Sequence, residues 1–69
     1  MIRELKTFLA VVRHGTFAAA GARIGLTQSA VSAQIARLED ALGAPLFNRT
    51  GRSALLNDAG QDALGLARQ

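Results

Sequence analysis

The chain has 69 residues, 49% of them hydrophobic and 19% charged, a balance that supports one small folded domain and excludes a disordered basic arm. Eight Lys and Arg against five Asp and Glu give a net charge of +3, too small an excess to name a nucleic-acid ligand unless the cations are well placed. The absence of cysteine excludes disulfides and thiolate metal sites, and a charged start at Arg3, Glu4 and Lys6 with no run of ~20 apolar residues leads us to expect a soluble, cytoplasmic chain with no membrane partner.

Leu5, Phe8, Leu9 and Val12 recur on one face of a helix, and Gly15 stands where that helix would stop, which predicts a first helix from Ile2 to His14. Thr16 can cap a short, alanine-rich second helix from Phe17 to Ile24. Gly25 can then take the left-handed conformation of a tight turn, Gly25-Leu26-Thr27, with Thr27 capping a third helix. Val31, Ile35, Leu38 and Leu42 form that helix's apolar stripe until Gly43 and Pro45 close it. Leu46-Phe47-Asn48 and Ala54-Leu55-Leu56 read as two short strands around the polar segment 49–53, a two-stranded wing. Asn57 can cap a last helix, whose weak apolar face is Ala59, Ala63, Leu64 and Ala67.

Two helices joined by a short turn containing glycine, the second with a firm core stripe and a small polar outer face, have the pattern of a helix-turn-helix. Gly21 would allow close approach at the helix crossing, Gly25 supplies the turn, and Val31 wedges beneath the third helix. A glycine inside a helix costs roughly 1 kcal/mol against alanine, so close packing against the third helix is the expected compensation. The fold class expected is therefore mainly α: a winged helix-turn-helix, with a three-helix core and a two-stranded wing over residues 1–57, then the start of a linker helix over 58–69.

At this point the sequence resembles the LysR-type transcriptional regulators of bacteria. The likeness runs through Phe8, Thr16-Phe17, Ala19-Ala20, Thr27-Gln28-Ser29-Ala30-Val31-Ser32, Gln34-Ile35, Leu38-Glu39, Leu42-Gly43, Leu46-Phe47, Arg49 and Asn57-Asp58-Ala59-Gly60. It implies an amino-terminal DNA-binding domain and a linker helix that pairs two subunits. It also implies a separate effector-binding domain, absent from these 69 residues, so that a small-molecule effector would act only through that missing part. Pairing through so short a piece of linker helix is expected to be weak. Ala33 stands where many members carry Arg or Lys, so no guanine or phosphate contact is expected from that position.

The expected partner is double-stranded DNA. The recognition helix, residues 28–43, would enter the major groove by its N-terminus, and the wing, 49–53, would reach the adjacent minor groove. Gln28 can bond adenine at N6 and N7, Ser29 and Ser32 can pair with several bases, and the methyls of Ala30 and Ala33 can pack on thymine. Arg52 suits a narrow minor groove, while Arg37 and Arg49 suit phosphates, and Gln34 is expected to bond backbone or phosphate. By position alone, Gln28 could equally be a plain helix-start residue, and Ser29, Ser32 and Ala33 an ordinary solvated face. No acidic residue lies between Glu4 and Glu39 or between Asp40 and Asp58, so an anion is expected to approach both stretches without meeting a carboxylate. Glu39 and Asp40 should face away from DNA.

His14 is expected to favour the end of the first helix. One His with scattered acids makes no triad and no metal set, so no enzyme, metal or cofactor is expected. Phe8, Phe17 and Phe47 fit core positions better than stacking on single-stranded bases. An alternative is a winged-helix module whose third helix packs on a protein; it should show an apolar or acidic recognition face, where this sequence offers Ser29, Ser32 and Ala33 among arginines.

Overall fold

Thr16, Thr27 and Asn57 each leave the chain in extended backbone and turn a side-chain oxygen onto the helix that follows. Thr16 Oγ1 accepts from Ala19 N at 3.0 Å, Thr27 Oγ1 from Ala30 N at 3.1 Å and Asn57 Oδ1 from Gly60 N at 2.7 Å. Each satisfies an amide that helix geometry leaves without an internal acceptor. In the computed structural model, which describes residues 1–48 and 54–68, these caps start α2 (Phe17–Ile24), α3 (Gln28–Leu42) and α4 (Asp58–Ala67), after a first helix α1 (Ile2–His14). The bounds expected for α1 and α2 are those observed, whereas α3 stops at Leu42, one residue short of the expected 28–43, because Gly43 turns left-handed at a φ of 78°, and α4 covers Asp58–Ala67 of the expected 58–69. Gly25 ends α2 at a φ of 76°, a backbone state open to glycine at no steric cost.

The strands β1 (Phe47–Asn48) and β2 (Leu55–Leu56) pair antiparallel, with Phe47 opposite Leu56 and Asn48 opposite Leu55. They are one residue shorter at Leu46 and at Ala54 than the sequence suggests, because those two amides bond elsewhere. Leu46 N donates to Glu39 Oε2 at 2.8 Å, and Ala54 N donates to the Gly15 carbonyl at 2.8 Å. The wing is thus tied at one strand to the end of α3 and at the other to the turn between α1 and α2.

Phe8, Val11, Ala20, Val31, Ile35 and Leu46 form the centre of the core. Phe47 carries the wing into it: its ring centroid lies 5.6 Å from Phe8 and 5.6 Å from Phe17, the second at an edge-on 75°. Tilted and edge-on pairs of this kind add to the apolar burial itself. The aromatic residues therefore serve the core, as their positions suggest. Gly21 is buried where α2 crosses α3, and a Cβ there would lie 2.5 Å from the Leu26 carbonyl oxygen and 3.2 Å from Val31 Cγ2. The close approach expected of that glycine is present.

Leu42 departs from expectation. It continues the stripe of Val31, Ile35 and Leu38, yet it is 52% exposed. The helix runs one turn past the elements that cover it, and Leu42 is no part of the packed cluster.

Asn57 does two jobs at once, since its Nδ2 also donates to the Pro45 carbonyl at 2.9 Å. Asn57→Ala is expected to lower stability by about 1–2 kcal/mol, a fall in melting midpoint of about 4–8 °C per kcal/mol for a domain this small. Asn57→Asp, which keeps the capping oxygen and loses the donor, should fall between; calorimetry on the three chains decides.

Candidate nucleic-acid interface

Val31, Gln34, Ile35 and Leu38 are the buried residues of α3. At 100° per residue they occupy one side of the helix, and Ser29 and Ala33 fall about 160–200° from Val31 on the other. Gln28, Ser29, Ala33 and Arg37 are exposed, while Ala30 and Ser32 are half-buried. The helix is held by one face and displays the other. At its tip the Thr27 cap takes up the Ala30 amide. The amides of Gln28 and Ser29 precede any intrahelical acceptor and point outward along the axis, with the positive end of the helix dipole. The exposed tip thus offers two amides, a carboxamide, a hydroxyl and a methyl, with no charge among them.

Gln34 is corrected. It is 8% exposed, and its Oε1 accepts a hydrogen bond from the Thr7 hydroxyl of α1. The side chain is turned to the scaffold because position 34 lies beside Val31 and Leu38 on the wheel and meets a polar group there. It is not on the displayed face, where a phosphate would have to approach.

Arg37 is 65% exposed at its side chain and stands 4.0 Å from Glu4 Oε2, while Glu4 Oε1 lies 3.7 Å from the amino terminus. The expectation that an anion meets no carboxylate along this stretch fails in space: α1 brings Glu4 beside α3. The Arg37 side chain is solvated while that of Glu4 is 14% exposed, and at 4.0 Å the pair is loose. Asp40 is exposed, and Glu39 bonds the Leu46 amide. Glu39 is thus an anchor for the wing, a role no local pattern announces. Arg49 and Arg52 lie outside the described residues.

A second group of cations lies on α1, α2 and α4. Lys6 and Arg13 of α1, Arg23 of α2 and Arg68 of α4 line an open cleft of about 630 Å³ with apolar walls such as Leu9 and Leu64. On the α1 wheel, Lys6, Leu9 and Arg13 lie roughly opposite Thr7 and Val11, which face α3. The spacing of Lys6 and Arg13, seven residues apart, is the one sequence signal for this second basic surface. Among the described residues, no group of three His, Asp or Glu could hold a metal ion, and no helix is long and apolar enough to cross a membrane.

Comparison with known proteins gives one consistent match. The family model for bacterial regulatory helix-turn-helix proteins of the lysR family fits residues 2–61. The transcriptional regulator PecT of Dickeya dadantii (strain 3937) is 51% identical over 65 residues, covering 94% of this chain and 21% of its own. The transcriptional regulator CbbR of Rhodospirillum rubrum is 46% identical over 67 residues, covering 97% of this chain and 22% of its own. The chain therefore spans about a fifth of the length of these two curated relatives. Among solved structures, the CbnR_DBD–DNA complex superposes with a TM-score of 0.92 at 38% identity, over 99% of this chain and 78% of that one. These relatives are regulators of transcription, not enzymes.

Proposed function

Since this chain belongs to the lysR family of bacterial regulatory helix-turn-helix proteins, we propose that it is a sequence-specific double-stranded DNA-binding domain, with α3 as the reading helix in the major groove. The observation that carries this is the two-sidedness of α3: a buried face of Val31, Ile35 and Leu38, an opposite face with Ser29 and Ala33 exposed, and a tip at which Gln28 is exposed and uncharged. Likeness to the protein of the CbnR_DBD–DNA complex supports it.

Gln28 suits adenine through its carboxamide, Ser29 and Ser32 suit several base edges, and Ala30 and Ala33 suit the thymine methyl. No cation stands on the base-reading half of α3, so A/T-rich sites follow. Phosphate contacts fall to Arg37 and Arg49, and Arg52 suits the adjacent minor groove. In the longer protein, pairing through α4 would place two such domains on an inverted repeat, and Leu66 of α4, 68% exposed, is available to a second copy. Control by a small-molecule effector belongs to another part of that protein.

Selection of bound sequences from random duplex DNA at two salt concentrations tests this reading. An A/T-rich inverted repeat should emerge, Gln28→Ala should relax its major-groove positions, and Arg52→Ala its flanking ones. With two phosphate-facing cations per chain, Arg37 and Arg49, and two chains, log K should fall with log salt at a slope of about −4. A strict guanine beneath Ala33, or affinity indifferent to salt, would count against the assignment. Enrichment of no sequence would leave the protein-docking alternative standing.

A further inference from the structure

We propose that the buried Thr7–Gln34 pair is a positioning device that sets the rotation of α3 about its axis, and thereby the accuracy with which Gln28 and Ser29 meet the bases. The inference rests on the DNA-reading role of α3 proposed above.

The contacts that seat α3 in the core are mostly apolar: Val31, Ile35 and Leu38. Apolar contact is non-directional, and a cylinder packed by a stripe of branched side chains can turn several degrees with little change in burial. A helix with side chains has a radius of roughly 5–6 Å, so a 10° turn moves a side-chain tip by about 1 Å. Hydrogen bonds to base edges tolerate only a few tenths of an ångström and a limited angle. Something directional must therefore hold the helix.

Among the described residues, three polar side-chain links join α3 to other parts of the molecule. Arg37 and Glu4 are 4.0 Å apart, with Arg37 65% exposed, so this link is loose and screened. Glu39 bonds the Leu46 amide, which ties the wing to the end of the helix. The third is Thr7 Oγ1 donating to Gln34 Oε1 across 27 residues of sequence, with Thr7 2% and Gln34 8% exposed. It lies between the tip and the wing anchor and connects α3 directly to α1. Its burial keeps water from competing for either partner. The hydroxyl can bond the amide in only a narrow range of helix rotations, whereas a methyl in its place would permit many.

An apolar pair of the same size would fill the space equally well, so packing alone does not call for these two residues. Replacing both partners of a buried polar pair by apolar groups of like shape can be neutral for stability. Positioning and stability can thus be separated. Thr7→Val combined with Gln34→Met should melt within a few degrees of the parent and bind random duplex DNA as tightly. Its preference for the selected site over random duplex should fall about tenfold, within the range of one well-formed base contact. Thr7→Ser, which keeps the hydroxyl, should retain the parent's preference.

Competition binding with the selected and a scrambled duplex reads the ratio directly. A double variant that keeps the full ratio, or a Thr7→Ser chain that folds as the parent does and loses the ratio, would overturn the inference. A parent chain that prefers no sequence would overturn the DNA reading and this inference together.

Discussion

Phe8→Ala is expected to leave most of the chain unfolded in dilute buffer at 25 °C. The ring is wholly buried, and it meets Phe47 at 5.6 Å, so its removal takes away both apolar burial and the contact through which the wing enters the core. Truncating a buried phenylalanine to alanine costs about 3–5 kcal/mol. A domain of 69 residues has in total only about 3–10 kcal/mol, at roughly 0.05–0.15 per residue. The loss is therefore comparable to everything the fold has. Phe8→Leu, which leaves most of the volume filled, should retain a cooperative urea transition at lower midpoint. If Phe8→Ala unfolded within about 1 kcal/mol of the parent, the core would not be built around this ring.

Helix starts were legible because a cap acts over three residues: Thr16 to Ala19, Thr27 to Ala30, Asn57 to Gly60. The stripe of Val31, Ile35 and Leu38 was legible because the helical repeat is local. So were Ser29 and Ala33, which remain once the stripe is subtracted, whereas Gln28, about 60° from Val31 on the wheel, is exposed because it stands at the tip. What escaped depends on residues distant in sequence. Gln34 sits about 60° from Val31 on the wheel, at the margin between core and surface, and only Thr7, 27 residues earlier, makes burial acceptable. Glu4 and Arg37 come together because α1 lies along α3, so a charge map drawn on the sequence overstates the open basic surface. Leu42 obeys the stripe but lies past its cover.

Gly60→Ala is the second substitution expected to do large damage, and its sign runs against helix propensity. In an open helix, alanine for glycine gains up to about 1 kcal/mol. At Gly60 a Cβ would overlap the Leu46 carbonyl oxygen and lie 2.7 Å from Leu56 Cδ2. Neither can yield freely: the Leu46 carbonyl already accepts the Asn57 amide at 3.1 Å, and Leu56 is paired across the wing with Phe47. The first turn of α4 would have to lift off the chain that leads into β1, opening the Asn57 cap and loosening the wing together. Overpacking of this kind costs roughly 3 kcal/mol, which outweighs the propensity gain. Gly65 supplies the control, being in the same helix with nothing within 4 Å of its would-be Cβ. Gly65→Ala should therefore stabilise by about 0.5–1 kcal/mol. Urea melts of the two variants should move in opposite directions from the parent, and DNA affinity should fall in Gly60→Ala alone, since only that change disturbs the seat of the wing. If both variants stabilise, α4 does not rest on the Leu46 carbonyl, and the close contact between α4 and the wing is wrong.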